Sequence, residues 1–220
     1  RVAVTNQKGG VGKTTTAVNL AASLTKANRN VLLIDIDPQG NASSAAGIKK
    51  NSESSLYEFF NSEEKIESFI IEASGGYDII PANNNLVAAE KIIEKTENRE
   101  KYFSAHLKKL PKKYDYILID CPPSLNLLTI NSMEFCRNVL VPVQCEYYAL
   151  EGLVTLKSTI SELNDVLGLK IDIVAILRTM ADWRNRLTRE VSSQLEKHFK
   201  EKVLNTCLLY TSPSPRDVCS

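Results

Sequence analysis

Residues 6–21 read NQKGGVGKTTTAVNLA, and the fold turns on this stretch. Gly9, Gly10 and Gly12 let backbone N–H groups approach an anion that side chains would hold off. The run that follows, Lys13 to Lys26, carries Ala17, Leu20, Ala21 and Leu24 on one face at helical spacing. A helix starting at Lys13 turns its positive end back into the loop, so the amides, the helix end and the Lys13 ammonium all favour phosphate. Thr14 adds a hydroxyl suited to Mg²⁺, and Thr15 offers a further donor in the first turn. The residues expected to bind are Lys8, Gly9, Gly10, Val11, Gly12, Lys13, Thr14 and Thr15. The bland alternative is a glycine-rich turn with a surface lysine, and the strand before and helix after weigh against it.

Working outward, Val2 to Thr5 reads as a short strand before the loop, and Val31 to Ile36 as a near-continuous apolar strand after the helix. Further strands are expected at Tyr77 to Ile80, Tyr116 to Ile119, Val139 to Val143 and Ile171 to Leu177. Helical spacing recurs at Leu86 to Glu94, Tyr102 to Leu110, Leu127 to Phe135, Leu150 to Leu167 and Leu187 to Phe199. Residues 38–61 are rich in Ser, Asn and Gly and read as loop with a short helix at Leu56 to Phe60. Strands alternating with helices predict an α/β fold, a mainly parallel sheet with helices on both faces. Its ligands bind at the carboxyl ends of the strands. The glycine loop, Asp37 and Asp120 all lie at such ends.

The composition, 43% hydrophobic and 24% charged over 220 residues, is that of one well-buried domain. A net charge of +1 does not advertise nucleic acid, so any basic surface must be local. Five cysteines without a CxxC pair argue against a disulfide framework or zinc site and fit a cytoplasmic location. No apolar run reaches the ~20 residues needed to span a bilayer, so no membrane association is expected. His106 and His198 lie apart from any nucleophile pattern. Cys121 and Cys145 are expected to be small buried residues, and Tyr147 and Tyr148 to pack at a sheet edge or dimer face.

Among the acidic residues, Asp120 ends a buried strand and is placed to hold Mg²⁺ through water while Thr14 binds it directly. Asp35 and Asp37 alternate along an extended segment and are on that ground expected to point apart and take different jobs. Lysines 108, 109, 112 and 113 form one basic group, and Arg184, Arg186, Arg189, Lys197, Lys200 and Lys202 another. A solvated helix face is the ordinary reading of both.

The usual phosphate-loop pattern is GxxxxGK[ST]; here Gln7 replaces its first glycine and Lys8 is an added lysine. With LLIDIDPQGNAS at 32–43, YDYILIDCPPSL at 114–125 and PVQCEYYALEGL at 142–153, the chain resembles the deviant Walker A P-loop ATPases. Within them it looks closest to the ParA/Soj partitioning proteins. The resemblance implies a P-loop NTPase that hydrolyses ATP slowly with Mg²⁺. Asp120 would be the Walker B aspartate, Asp37 the catalytic carboxylate, and Asp35 structural with a share in magnesium's outer shell. Lys13 would serve the chain's own phosphates and Lys8 a partner's ATP in an ATP-dependent homodimer. It also implies nonspecific DNA binding, nucleoid association in the ATP state, and stimulation by a ParB-type centromere-binding protein. A MinD-like membrane-associated division regulator is the alternative. An iron–sulfur reductase is disfavoured because no cysteine pattern supplies a bridging cluster.

The resemblance covers residues 1–206, read as one ATPase domain. The Ser/Pro-rich stretch 207–220, CLLYTSPSPRDVCS, does not resemble the strand and helices the family has there and is expected to be a non-native or disordered tail. Elements that close the adenine pocket and supply part of the DNA surface are then expected to be missing. A start at Arg1, directly in a strand, suggests that native residues are missing upstream.

Overall fold

The computed structural model describes residues 1–49, 54–111 and 113–208. Lys112 of the first basic group and residues 209–220 of the expected tail lie outside them. The order along the chain is β1 (Val2–Val4), α1 (Lys13–Lys26), β2 (Val31–Asp35), α2 (Asn41–Ala45), α3 (Leu56–Phe60), β3 (Ile71–Glu72) and β4 (Asp78–Ile80). Then come α4 (Leu86–Ile93), α5 (Tyr102–His106), β5 (Tyr116–Asp120), α6 (Leu127–Cys136), β6 (Asn138–Gln144), α7 (Ala149–Leu167), β7 (Asp172–Thr179), α8 (Arg186–Phe199) and β8 (Val203–Leu208).

The eight strands form one sheet in the order β3-β4-β2-β5-β1-β6-β7-β8. All neighbours are parallel except β3 and β4, a short antiparallel pair at one edge. The central strands are apolar throughout because both faces are covered. Leu32, Ile34, Ile117 and Ile119 enter the larger core, beside residues of α3 to α8. Their alternates Val31, Leu33 and Leu118 enter the other core, with Ala17 and Ala21 of α1 and Ala42 of α2. The expected mainly parallel sheet with helices on both faces is therefore present.

Four differences from the sequence reading have physical causes. The five-residue helix α2, NASSA, carries no apolar stripe; it is held by Gly40, in the left-handed region at φ 62°, and by Ser43 buried against Asp35. β3 is too short to show alternation. β8 runs through Cys207 and Leu208, two residues past the expected end of the domain, and pairs with β7 at Thr179↔Leu208. Its last two residues thus lie in the stretch read as tail. The predicted helix Tyr102 to Leu110 is α5 followed by a tighter 3₁₀ turn, Leu107–Lys109.

Cys121 and Cys145 are buried as expected. Tyr147 and Tyr148 are 75% and 66% exposed and pack edge to face on each other. His106 stacks on Tyr102 within α5. Among the described residues no helix is long and apolar enough to cross a membrane.

Candidate nucleotide site

Parallel pairing brings the carboxyl ends of β1, β2 and β5 together: Val4 faces Asp120 and Asp35 faces Asp120 in register. The loop between β1 and α1 lies over this edge. Gly10 has φ 75°, and Gly12, the residue before α1, has φ 84° and ψ 26°, a conformation other residues enter only with strain. The Gly12 carbonyl accepts from the Thr16 amide at 2.8 Å and the Thr16 hydroxyl at 2.7 Å, which starts the helix. The amides of the first turn are thereby left facing the loop.

A cleft of about 390 Å³ is lined by Gly9, Gly10, Gly12, Lys13, Thr14, Thr15 and Asp37, with Gln39, Asn41, Pro123 and Met180. Seven of the residues picked from sequence thus share one wall or floor. Lys8, Val11 and Asp120 do not line it. Val11 is buried, with its carbonyl accepting from the Thr179 hydroxyl at 2.9 Å.

The two lysines differ sharply in setting. Lys13 is buried at the foot of the cleft, its ammonium donating to the Lys8 carbonyl at 2.8 Å. Burial pulls its pKa below the ordinary value, against the opposing pull of the Asp120 and Asp37 carboxylates. Lys8 is half exposed and pairs through its ammonium with Glu146, in the loop after β6. Both lysines do not therefore point at one phosphate of the same chain. Only Lys13 lines the cleft.

The carboxylates separate as well, although not for the reason expected. Residues two apart on a continuous strand share a face, so alternation would not part Asp35 from Asp37. What parts them is the end of β2 at Asp35. Asp35 is fully buried and accepts from the Ser43 amide (2.8 Å), the Ser43 hydroxyl (2.7 Å) and the Asp37 amide (3.1 Å). Burial still pushes its pKa up to about 6. Its hydrogen bonds fold the turn that carries Asp37 into the cleft, where the Asp37 carboxylate accepts the Gln39 amide at 3.0 Å and has no other hydrogen bond among the described residues.

Asp120 is fully buried, and neither of its carboxylate oxygens has a hydrogen-bond partner among the described residues. Burial raises its pKa well above the carboxylate range; Asp35 and Asp37 add to this, and the Thr14 hydroxyl and Lys13 nearby offset part of it. An unpaired buried carboxylate is costly unless something cationic completes it. Its setting beside Thr14 fits Mg²⁺, which takes few protein oxygens and keeps its waters. Among the described residues no group of three or more His, Cys, Asp or Glu could cage a metal by itself.

A protein-family description, "AAA domain", matches residues 1–173. The sporulation initiation inhibitor protein Soj of Bacillus subtilis is 45% identical over 210 residues, 94% of this chain and 83% of that protein. The chromosome partitioning protein ParA of Myxococcus xanthus is 44% identical over 204 residues, 92% of this chain and 72% of that protein. This chain belongs to the ParA/Soj family of partitioning ATPases. Among solved structures, a Mycobacterium smegmatis protein titled cobyrinic acid a,c-diamide synthase, with bound ADP and magnesium, is similar at 33% identity. Its TM-score is 0.87, over 96% of this chain and 86% of that one.

Three ParA/Soj site features escaped the sequence reading. Gln39 and Asn41 lay inside a quoted segment, DPQGNAS, without being singled out. Ser43, which supports Asp35, carries no signal beyond that segment. Thr179 and Met180 are supplied by the end of β7, and no local pattern marks them.

Proposed function

We propose that this chain is an ATP-driven dimerisation switch for chromosome or plasmid partitioning. The observation that carries the reading is the cleft itself: glycine amides, a helix start and buried Lys13 on one side, and the unpaired Asp120 carboxylate behind them. That arrangement suits a polyphosphate accompanied by a divalent cation. The solved relative titled with ADP and magnesium supports it.

The amides around Gly10 and Gly12 hold phosphate oxygens, and Lys13, desolvated and poised at the Lys8 carbonyl, turns to them. Thr14 and, through water, Asp120 would hold Mg²⁺, which would neutralise charge on the terminal phosphates. Among the described residues the Asp37 carboxylate takes part in one local hydrogen bond and therefore has spare acceptor capacity, so it orients the attacking water. Among the described residues the Lys8 ammonium is held by one part-exposed ion pair, with Glu146, which costs little to exchange. It completes the partner's site, which makes hydrolysis wait for dimerisation. With one weak base and a shared site, turnover is slow, and the nucleotide state is the output.

In the ATP state the dimer binds DNA nonspecifically, associates with the nucleoid from the cytoplasm, and is stimulated by a ParB-type centromere-binding protein. Within the second basic group, Arg184, Arg186 and Lys202 are paired with Asp182, Glu190 and Asp172. Arg189, Lys197 and Lys200 are exposed without an ion pair among the described residues, and they are the cations available to phosphate.

The test is light scattering on a sizing column with Mg²⁺ and ATP, beside hydrolysis assays with DNA and a ParB-type protein. The parent should dimerise, Lys13→Gln should fail to bind or dimerise, and Lys8→Ala should bind ATP yet neither dimerise nor hydrolyse it. A Lys8→Ala protein that behaves like the parent refutes the shared site. DNA affinity should fall steeply with salt, and a flat dependence removes the electrostatic account. ATP-dependent sedimentation with liposomes would favour the MinD-like reading instead.

A further inference from the structure

We infer that Thr179, at the carboxyl end of β7, is a positioning residue for the phosphate loop; the inference rests on reading the cleft as a nucleotide site. Its hydroxyl donates to the Val11 carbonyl at 2.9 Å, a buried bond between residues 168 positions apart. A trans peptide holds its C=O and N–H on opposite sides. Anchoring the Val11 carbonyl to β7 therefore fixes the direction of the Gly12 N–H, one of the donors in the phosphate loop.

The methyl of Thr179 acts on the same peptide. A Cβ built on Gly12 would lie 3.6 Å from Thr179 Cγ2 and 3.5 Å from Leu208 Cδ2, so both side chains pack directly over the Gly12 backbone. With φ 84°, Gly12 has several alternative conformations to lose, and this packing together with the hydrogen bond selects one.

The residues on either side of Thr179 keep the anchor rigid. Arg178, buried, donates to the Ser192 hydroxyl and the Glu196 carboxylate of α8 at 2.6 Å each, and to the Leu204 carbonyl of β8 at 2.8 Å. Met180, held at φ 52°, donates its amide to the Leu208 carbonyl at 2.7 Å and lines the cleft. Three consecutive residues thus fasten α8 and β8 to the loop that carries the glycine amides.

The experiment compares Thr179→Val, which keeps the shape and removes the donor, with Thr179→Ser, which keeps the donor and removes the methyl. Binding of a fluorescent ATP analogue with Mg²⁺ should weaken about five- to tenfold in T179V, the effect of one lost buried hydrogen bond, and by about twofold or less in T179S. Amide exchange at residues 9–13 in the nucleotide-free chain should quicken in T179V while β2 and β5 exchange as in the parent. Parent-like binding and exchange in T179V, or equal impairment in T179S, overturns the inference. Should T179V not fold, Thr179→Ala removes the same donor without adding bulk and is read by the same exchange measurement. If the parent binds no nucleotide, the reading of the cleft fails, and loop exchange still decides the role of Thr179.

Discussion

Replacing Asp120 with Asn should stabilise the metal-free protein while abolishing Mg²⁺-dependent hydrolysis. The carboxylate is fully buried, both its oxygens lack hydrogen-bond partners among the described residues, Thr14 and Lys13 nearby offset only part of the cost, and Asp35 faces it in register across β2 and β5. Without a cation it is a burial cost with little return, and the neutral amide of nearly the same shape removes the charge. A gain of about 2 kcal/mol is expected, the scale of an unsatisfied buried polar group. In a chain of this size that raises the melting temperature by about 4–8 °C. The sign with pH follows from the raised pKa of Asp120. The folded chain keeps its proton to higher pH than the unfolded chain does, so the parent loses stability as pH rises above the ordinary carboxylate range. The advantage of Asp120→Asn should therefore be small at or below about pH 4, where both states are protonated, and grow toward about pH 8. Thermal unfolding in EDTA across that range, beside phosphate release with Mg²⁺ and ATP, measures both arms. A lower melting temperature for the variant in EDTA at about pH 8, or retained Mg²⁺-dependent hydrolysis, would refute the assignment of Asp120 as an uncompensated metal-binding carboxylate.

Further outcomes follow from the same geometry. Gly12→Ala has ordinary room for its methyl but keeps a left-handed backbone, so it should lose about 1–2 kcal/mol in urea unfolding. It should also weaken nucleotide binding at least about tenfold; parent-like values in both would show that the loop conformation is not required. Ser43→Ala removes a hydroxyl that donates to Asp35 at 2.7 Å and accepts the Ala82 amide at 2.9 Å. A cost of about 2–3 kcal/mol is expected, and a change below about 1 kcal/mol would mean that Ser43 does not hold this turn. Glu146→Gln should change stability by less than about 1 kcal/mol, because its pair with Lys8 is part exposed. A larger loss by chemical denaturation would contradict the view that Lys8 is free to exchange partners.

Much of this molecule is legible where the signal is local. The α1 boundaries, Lys13 and Lys26, match the helical spacing because an apolar stripe, a glycine before and a left-handed opening all act within one or two turns. The strands β2 and β5 read from their apolar runs, since burial on both faces leaves no room for alternation. The glycine loop and the strand end at Asp120 were legible because both leave short-range patterns. By contrast, α2 is polar and five residues long, and β8 ends in residues that read as tail. Both are stabilised by neighbours distant in sequence, Asp35 with Ala82 and β7 respectively.

By itself the sequence determined a glycine-rich loop between a strand and a helix on a parallel α/β sheet, with an added lysine at position 8. These properties follow from side-chain chemistry and near-neighbour spacing. Only the tertiary structure decided which groups meet. β5 lies between β2 and β1, which sets Asp120 against Asp35. It also decided that Asp35 supports the turn while Asp37 enters the cleft, that Lys13 faces the site while Lys8 pairs with Glu146, and that Thr179 grips Val11. Such contacts are fixed by strand order and by packing across the sheet edge, and neither leaves a periodicity in the chain.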